Sequence, residues 1–440
     1  MELLYTLQDF FGLKSKSESS SEPKQVDKPS KRLITRLHDK HYDLTDFKHP
    51  GGPIPIALIN NRDGTEMYES HHLFTTVDME KILKKYEISK TPEHEIPASN
   101  VYNWKKTKSS AFTKELHDMA RKELGKEIKM TWFRVFEIMI LYLIAFSQIY
   151  FYWQGYWFAL FTMPLAVWIP TVNTFHDGSH FALSWNWKIN RLGTNLGFMF
   201  STPYTWYHQH VIGHHSFPNV QGRDPDLYHA PKMIRHSKDV KYRPAHKYQT
   251  ITFIISWLLG VPFSLICHGI KQSLTRRSYN RVVTFNKSKY LNTYSLVLRF
   301  IFYFLIVHLL PFFLHGLTLK AFLFAIVPIY SFSLYFMISS QINHLTPHTH
   351  EQFDENFFIH QIKTACDVAT DNYFVYIFTG GLNMQIEHHL FPSVNHCHLK
   401  KLIPKVKQIC KKHGVAFNES PTLWQAVCEH VKHLKKFAFE

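Results

Sequence analysis

HDGSH at residues 176–180, HVIGHH at 210–215 and QIEHH at 385–389 are the stretches on which the reading of this chain turns. Each follows an apolar run. Neutral imidazole binds borderline transition metals without adding negative charge, which suits a metal site held close to lipid. On a helix, residues four apart lie one turn above each other on the same face. His176 with His180, and His210 with His214, can therefore each direct two ring nitrogens at one centre, with His215 adjoining the second pair. Gln385 and His389 repeat that spacing, and His388 joins from three positions along. Three such sets in order along one chain point to a metal centre. The chain holds 30 histidines, and most lie elsewhere. His208, His229, His236, His246, His360, His396, His398 and His413 stand in polar or basic surroundings and read as solvated or hydrogen-bonded side chains.

Aromatic residues make up 16% of the 440 residues, 37 of them Phe, yet mean hydropathy is only −0.19. Apolar sequence must therefore be concentrated in blocks. Four blocks approach the roughly 20 residues that cross a bilayer: residues 133–153, 156–175, 295–315 and 319–340. They pair into two hairpins, turning at 154–155 and 316–318. Both turns are poor in Lys and Arg, whereas residues 105–129 and 271–289 are basic. The positive-inside rule then turns the hairpins away from the cytoplasm and leaves both termini and all three histidine clusters on the cytoplasmic side. A fifth block, 251–270, is interrupted by Gly260 and Pro262. It reads as a re-entrant or interfacial helix, since crossing would separate the second and third clusters.

The net charge of +16 suits anionic lipid headgroups and an acidic partner better than nucleic acid. Five scattered cysteines without a CxxC pair read as reduced thiols. Residues 1–13 lack the charged start and small-residue cleavage site of a signal peptide. Residues 14–31, rich in Ser, Lys, Glu and Pro, read as a disordered tether. Beyond it stands HPGG at 49–52, where two glycines after a histidine permit a tight turn and close approach of a flat ligand. RDGTEMYESHH, at 62–72, then places His72 twenty-three positions after His49.

That pairing resembles the cytochrome b5 domain, in which two histidines clamp a heme from opposite faces. The resemblance implies heme b on His49 and His72, with His71 where the family usually carries an aromatic. Heme iron with two histidine ligands has no open position and serves as an electron carrier. A cytochrome b5 domain ahead of four spans, with HDGSH, HVIGHH and a last box opening on Gln385 instead of histidine, resembles the front-end fatty acid desaturases from residue 33 to about residue 415. These insert a double bond between an existing one and the carboxyl end of an acyl chain.

The resemblance implies two non-heme irons on His176, His180, His210, His214, His215, His388 and His389, with His344 as a further ligand. Asn343 stands beside it, and Gln385 either binds metal or orients a neighbour. Ligand number alone would also admit two zinc sites. Zinc has no redox chemistry, however, and a fused one-electron donor favours iron. The implied architecture is an α-helical integral membrane protein with four transmembrane helices, a cytoplasmic di-iron domain and a small α+β heme domain. Its parts are a tether at 1–32, the heme domain at 33–90, a linker with an amphipathic segment at 91–130, and the desaturase domain at 131–440.

The implied location is the endoplasmic reticulum membrane. The implied partners are a fatty acyl lipid or acyl-CoA, O2, membrane lipid and NADH-cytochrome b5 reductase as electron source. Three residues separate His210 from the His214-His215 pair, a spacing associated with delta-5 members; delta-6 fatty acid and sphingolipid delta-8 desaturases are alternatives. A di-iron lipid hydroxylase and a membrane-anchored electron carrier remain open as other classes. Trp206, Tyr207, Phe217 and residues 374–378 are candidates for tunnel-lining or lipid-facing aromatics. GRDPD at 222–226 either orients metal ligands or forms a turn.

Overall fold

The computed structural model describes residues 32–89, 95–197, 202–277, 283–289, 291, 298 and 301–439. The tether read at 1–32 lies, apart from Arg32, outside them. The first folded part is the expected small α+β unit. Strand Ile34–Leu37 pairs antiparallel with Lys40–Asp43, which pairs in turn with Glu87–Ile88. Three short helices, Pro53–Ile59, Thr65–His71 and Met79–Leu83, follow the hairpin. Pro53 opens the first of them, where its missing N–H costs nothing, and Asp78 caps the third by accepting from the Lys81 amide. Leu37, Tyr42, Leu58 and Met67 form the core of this unit, and that core continues without a break into Tyr204, Tyr207 and Val211. The Asn286 side-chain amide adds hydrogen bonds to the Leu58 and Asn60 carbonyls. The heme-type unit is thus seated on the segment that carries the second histidine box.

In the linker, helix Ala111–Leu124 buries Phe112, Leu116, Ala120 and Leu124, at helical spacing, against Val406, Ile409 and Cys410 of helix Ile403–His413. This is the amphipathic segment expected there.

Among the described residues two helices are long and apolar enough to cross a membrane, Trp132–Trp153 and Leu319–Gln341. The first leaves Phe133, Phe136, Leu143 and Phe146 more than 60% exposed, an apolar stripe that water would not favour. The other two expected blocks take different forms. Residues 156–175 fold into helix Ala159–Ser179, which contains Pro164 and Pro170 and runs straight into the first histidine box. Residues 295–315 are described mainly from Ile301, giving the shorter apolar helix Ile301–His315. Tyr152 donates a hydrogen bond to the Phe324 carbonyl and ties the first helix to the last.

The interruption expected at Gly260 and Pro262 is absorbed rather than broken. Helix Gln249–Leu259 widens into a π-helical stretch, Gly260–Cys267, before α-helix resumes at His268–Thr275. The wider turn accommodates a proline that cannot donate to the ordinary helical ladder. The Val261 amide donates to Ser333 Oγ, which itself donates to the Trp257 carbonyl.

Candidate active site

The three boxes converge. Helix Ala159–Ser179 ends at the first box, presenting His176 from its last turn and His180 from its cap. Gly178 is needed there, because a Cβ would lie 2.6 Å from the Asn190 carbonyl oxygen of the crossing helix Trp187–Leu196. The third box forms the short helix Gln385–Leu390, buried throughout. The second box departs from expectation. Tyr207–His214 is a π-helix, and the His215 amide donates to the His210 carbonyl, five residues back. The wider turn brings His215 Nε2 to 3.1 Å from His210 Nε2, so adjacent histidines enter different sets, while His214 also groups with His210 and Asp226. Single π-helical turns of this kind recur at functional sites.

Eight buried histidines form two groups. His176, His180, His210, His215 and His388 make one, and His214, His344 and His389 make the other. The groups adjoin, since the His215 and His389 rings stack 4.3 Å apart. Within the first group the Nε2 atoms of His176 and His210 are 2.9 Å apart, those of His210 and His215 3.1 Å, and those of His215 and His388 3.1 Å. In the second, His214 and His344 approach to 3.2 Å through Nε2. With metal–imidazole bonds of about 2.1 Å, two ligands at right angles place their nitrogens about 3.0 Å apart. These spacings therefore suit shared metal ions, and five histidines in one group exceed the four ligands of a tetrahedral zinc site.

Four of the eight rings, those of His214, His344, His388 and His389, are held through Nδ1 by the surrounding protein. His214 Nδ1 lies 3.1 Å from Asp224 Oδ2, His344 Nδ1 2.8 Å from the Thr364 carbonyl, His389 Nδ1 2.8 Å from Gln361 Oε1, and His388 Nδ1 3.0 Å from His396 Nε2. Such partners fix the tautomer and direct the opposite nitrogen inward. Burial pushes the His214 pKa down, but Asp224 and Asp226 outweigh it and raise it to about 9. A metal entering that group therefore displaces a proton. Gln385 belongs to the second group: its Nε2 is 2.8 Å from His344 Nε2, and Asn343 Nδ2 stands 3.3 Å from its Oε1.

His396, read from the sequence as solvated or hydrogen-bonded, is buried and hydrogen-bonded beside Asp177 and His388. His208, His236, His246, His360 and His398 are likewise buried, so of the two expected states, solvated or hydrogen-bonded, burial leaves the second. Most make hydrogen bonds, but His236 Nδ1 has none and lies among the rings of His430 and His433. Of the aromatics, Trp206 stacks on His210 at 4.2 Å, whereas Tyr207 and Phe217 pack into apolar cores and Phe374 is 61% exposed. In GRDPD the carboxylates of Asp224 and Asp226 lie 3.1 and 3.6 Å from His214 Nδ1. Nothing in their own stretch of sequence marks Gln361 or Thr364, which reach the site through His389 and His344.

A narrow cavity of about 50 Å³ reaches both groups, lined by His176, His210 and His344 and by Trp206, Phe336 and Met337. Gly260 borders it, and a Cβ there would lie 2.9 Å from Met337 Sδ. Replacing Gly260 with Val is expected to push Met337 into the cavity. Activity should fall on the longest acyl chains first, with iron content unchanged, as measured by product profiles beside metal analysis.

The heme-type unit holds a second cavity, of about 440 Å³, with His49 and His72 on its walls. Their rings are 5.8 Å apart at 85°. His49 Nδ1 is 3.0 Å from the Gly51 amide and His72 Nδ1 2.8 Å from the Tyr68 carbonyl. Each ring's contact with backbone is thus made through Nδ1, and Nε2 remains for a flat ligand between them. Gly52, at φ +85°, closes the HPGG turn where a side chain would collide with Trp187.

Comparison with known proteins agrees with this geometry. The fatty acid desaturase family matches residues 148–421, and the cytochrome b5-like heme/steroid binding domain matches 19–91. The chain belongs to the fatty acid desaturase family. It is similar to the acyl-lipid (8-3)-desaturase B of Dictyostelium discoideum, 27% identical over 90% of this chain and 89% of that one. It also resembles the Delta(5) fatty acid desaturase A of the same organism, at 26% over 90% and 89%. An acyl-lipid (8-3)-desaturase of Mortierella alpina is 27% identical over 92% and 93%. No solved structure matches. The chain is a front-end desaturase, an oxidoreductase with a fused heme-binding cytochrome b5 domain and the buried histidines of a di-iron site.

Proposed function

We propose that the chain introduces a delta-5 double bond into a polyunsaturated acyl chain, and that its two histidine groups hold one iron each. The observation that carries the ligand reading is the convergence of eight buried histidines at about 3 Å nitrogen spacing beside a narrow apolar cavity. On this reading His176, His180, His210, His215 and His388 bind one iron, and His214, His344 and His389 the other. Gln385 completes or orients the second set. His49 and His72 would hold the heme, which would supply one-electron transfer.

Bound there, the iron pair supplies the oxygen-activating redox chemistry. The reaction balances when O2, two substrate hydrogens, two electrons and two protons leave as two waters and an alkene. The residues supply positioning: Trp206, Phe336 and Met337 hold unreactive methylenes beside the histidines and exclude bulk water. Outer partners such as Asp224 and Gln361 keep the imidazoles aimed.

The domain limits we propose are 33–90 for the heme domain, 91–130 for the linker and 131–440 for the desaturase domain. Four spans in two hairpins, with termini and histidines cytoplasmic in the endoplasmic reticulum membrane, fit the charge asymmetry. Cytochrome b5 reductase is the natural electron source for such a heme domain. A glycosylation acceptor inserted between Gly316 and Thr318 should be modified, and tags after Glu440 or at 275–286 should stay protected. Lumenal exposure of 275–286 would contradict the arrangement.

Three residues between His210 and the His214-His215 pair, and relatives named as delta-5 and (8-3) desaturases, support the regiochemistry. The test is expression in a host without polyunsaturated acyl chains, with several chain lengths supplied and double bonds mapped by mass spectrometry. A new bond at carbon 5 is expected; bonds at carbon 6 or 8 would transfer the chain to the alternative classes.

Gln385→Ala separates the two roles open to that residue. If Gln385 orients His344, iron should remain while activity falls roughly 10 to 100-fold, the usual cost of an outer partner. Loss of iron would make it a ligand.

A further inference from the structure

Neither the heme pair nor the histidine groups include His71, yet it stands between them. It ends helix Thr65–His71, directly before His72. Its ring is 6.2 Å from that of His180 and nearly parallel to it, at 18°, and 6.4 Å from Phe181. The ring is held in place, with Nδ1 2.9 Å from Ser70 Oγ and 3.1 Å from the Met67 carbonyl. Nδ1 therefore carries the proton, and Nε2 is buried without a hydrogen-bond partner.

The surroundings of His71 are shared between the two domains. It lines the heme-type cavity together with His49 and His72, and the same cavity is walled from the desaturase side by Phe181, Trp185 and Ser393. Trp187 packs against Gly52 so closely that a Cβ there would fall 2.6 Å from its ring. Asparagine hydrogen bonds and a continuous apolar core hold the contact from another side. The heme pocket thus borders the desaturase domain, with His71 on the wall that the two share.

We infer that His71 is a positioning residue for electron transfer, the packed aromatic contact across which the heme domain is coupled to the histidine group through His180. This rests on the reading of His72 as a heme ligand and His180 as a metal ligand. One electron crosses at a time: heme iron goes from ferrous to ferric, and one iron of the pair is reduced by one unit. No bond forms or breaks at His71, and its proton stays on Nδ1. A ring that adjoins His72 in the chain and lies 6.2 Å from His180 shortens the through-space gap, across which electron tunnelling falls off steeply.

The test uses the purified full chain with heme and iron loaded. Heme is reduced without oxygen, the protein is mixed with O2 and an acyl substrate, and heme reoxidation is followed by stopped-flow absorbance. His215→Ala, which disrupts the metal site, gives the background rate of direct heme autoxidation. His71→Ala is expected to slow reoxidation about tenfold, comparable to the loss of an outer partner at a metal site. Its heme spectrum, heme potential and iron content should match the wild type. His71→Phe, which keeps a flat ring, should recover part of the rate. Wild-type reoxidation in a fully loaded His71→Ala protein would overturn the inference. Loss of the low-spin spectrum in both His71→Ala and His71→Phe, with retention in His72→Ala, would instead move the heme ligand to His71 and overturn the underlying assignment.

Discussion

Replacing His215 with alanine should remove desaturase product to below detection and sharply lower bound non-heme iron. His215 has the most central place of the eight. Its Nε2 is 3.1 Å from those of both His210 and His388, and its ring packs 4.2 Å from His180 and 4.3 Å from His389. Alanine deletes a ring nitrogen that no nearby side chain can replace and opens a gap between the two groups. Neighbouring imidazoles, closely spaced because metal would bind them, then lose the ion that compensates their burial. Iron analysis beside product analysis on the same membranes checks this. Full iron content with product intact would remove His215 from the metal site. Asp224→Asn should act more mildly, since the amide still fills the space beside His214, and roughly 10 to 100-fold lower activity is expected.

The second large effect belongs to the heme pair. His49→Ala and His72→Ala should each abolish the low-spin heme spectrum, because the cavity supplies one ring from each side and their 5.8 Å separation leaves room for a single flat ligand. Desaturation should fall to the level that free cytochrome b5 can support from solution. A tethered donor acts at high effective concentration, which a diffusing one matches only in excess. Adding free cytochrome b5 to the His72→Ala membranes measures that difference. Undiminished activity without any added donor would show that the fused domain is dispensable.

How far the sequence reached can be followed residue by residue. The histidine boxes were legible because imidazoles at helical spacing have few structural uses in such number, and HPGG with His72 because its spacing is a family signature. The grouping of the histidines was not legible. It depends on a π-helical turn at Tyr207–His214, which no local propensity announces and which sends His214 and His215 to different groups. The places of His396, Gln361 and Thr364 beside the site were not legible for a related reason: each acts through contacts between segments far apart in sequence. His396 sits among polar neighbours in the chain but is buried in the fold. Block 251–270 shows the reverse error, since Gly260 and Pro262 suggested a break where a π-helical stretch preserves the helix. The apolar blocks at 133–153 and 319–340 were read nearly to their ends. Length and composition are enough for a helix of that kind, as they were not for the proline-containing block that ends in the first box.

The central claim is that one chain joins heme and a di-iron centre to desaturate an acyl chain. It is tested most directly by counting metals and mapping products in a single preparation. The full chain, purified in detergent and supplied with reductant, O2 and a polyunsaturated acyl substrate, should contain one heme and two non-heme irons. It should yield a product with one added double bond between the existing ones and the carboxyl end. Zinc in place of iron, or hydroxylated lipid without new unsaturation, would contradict it.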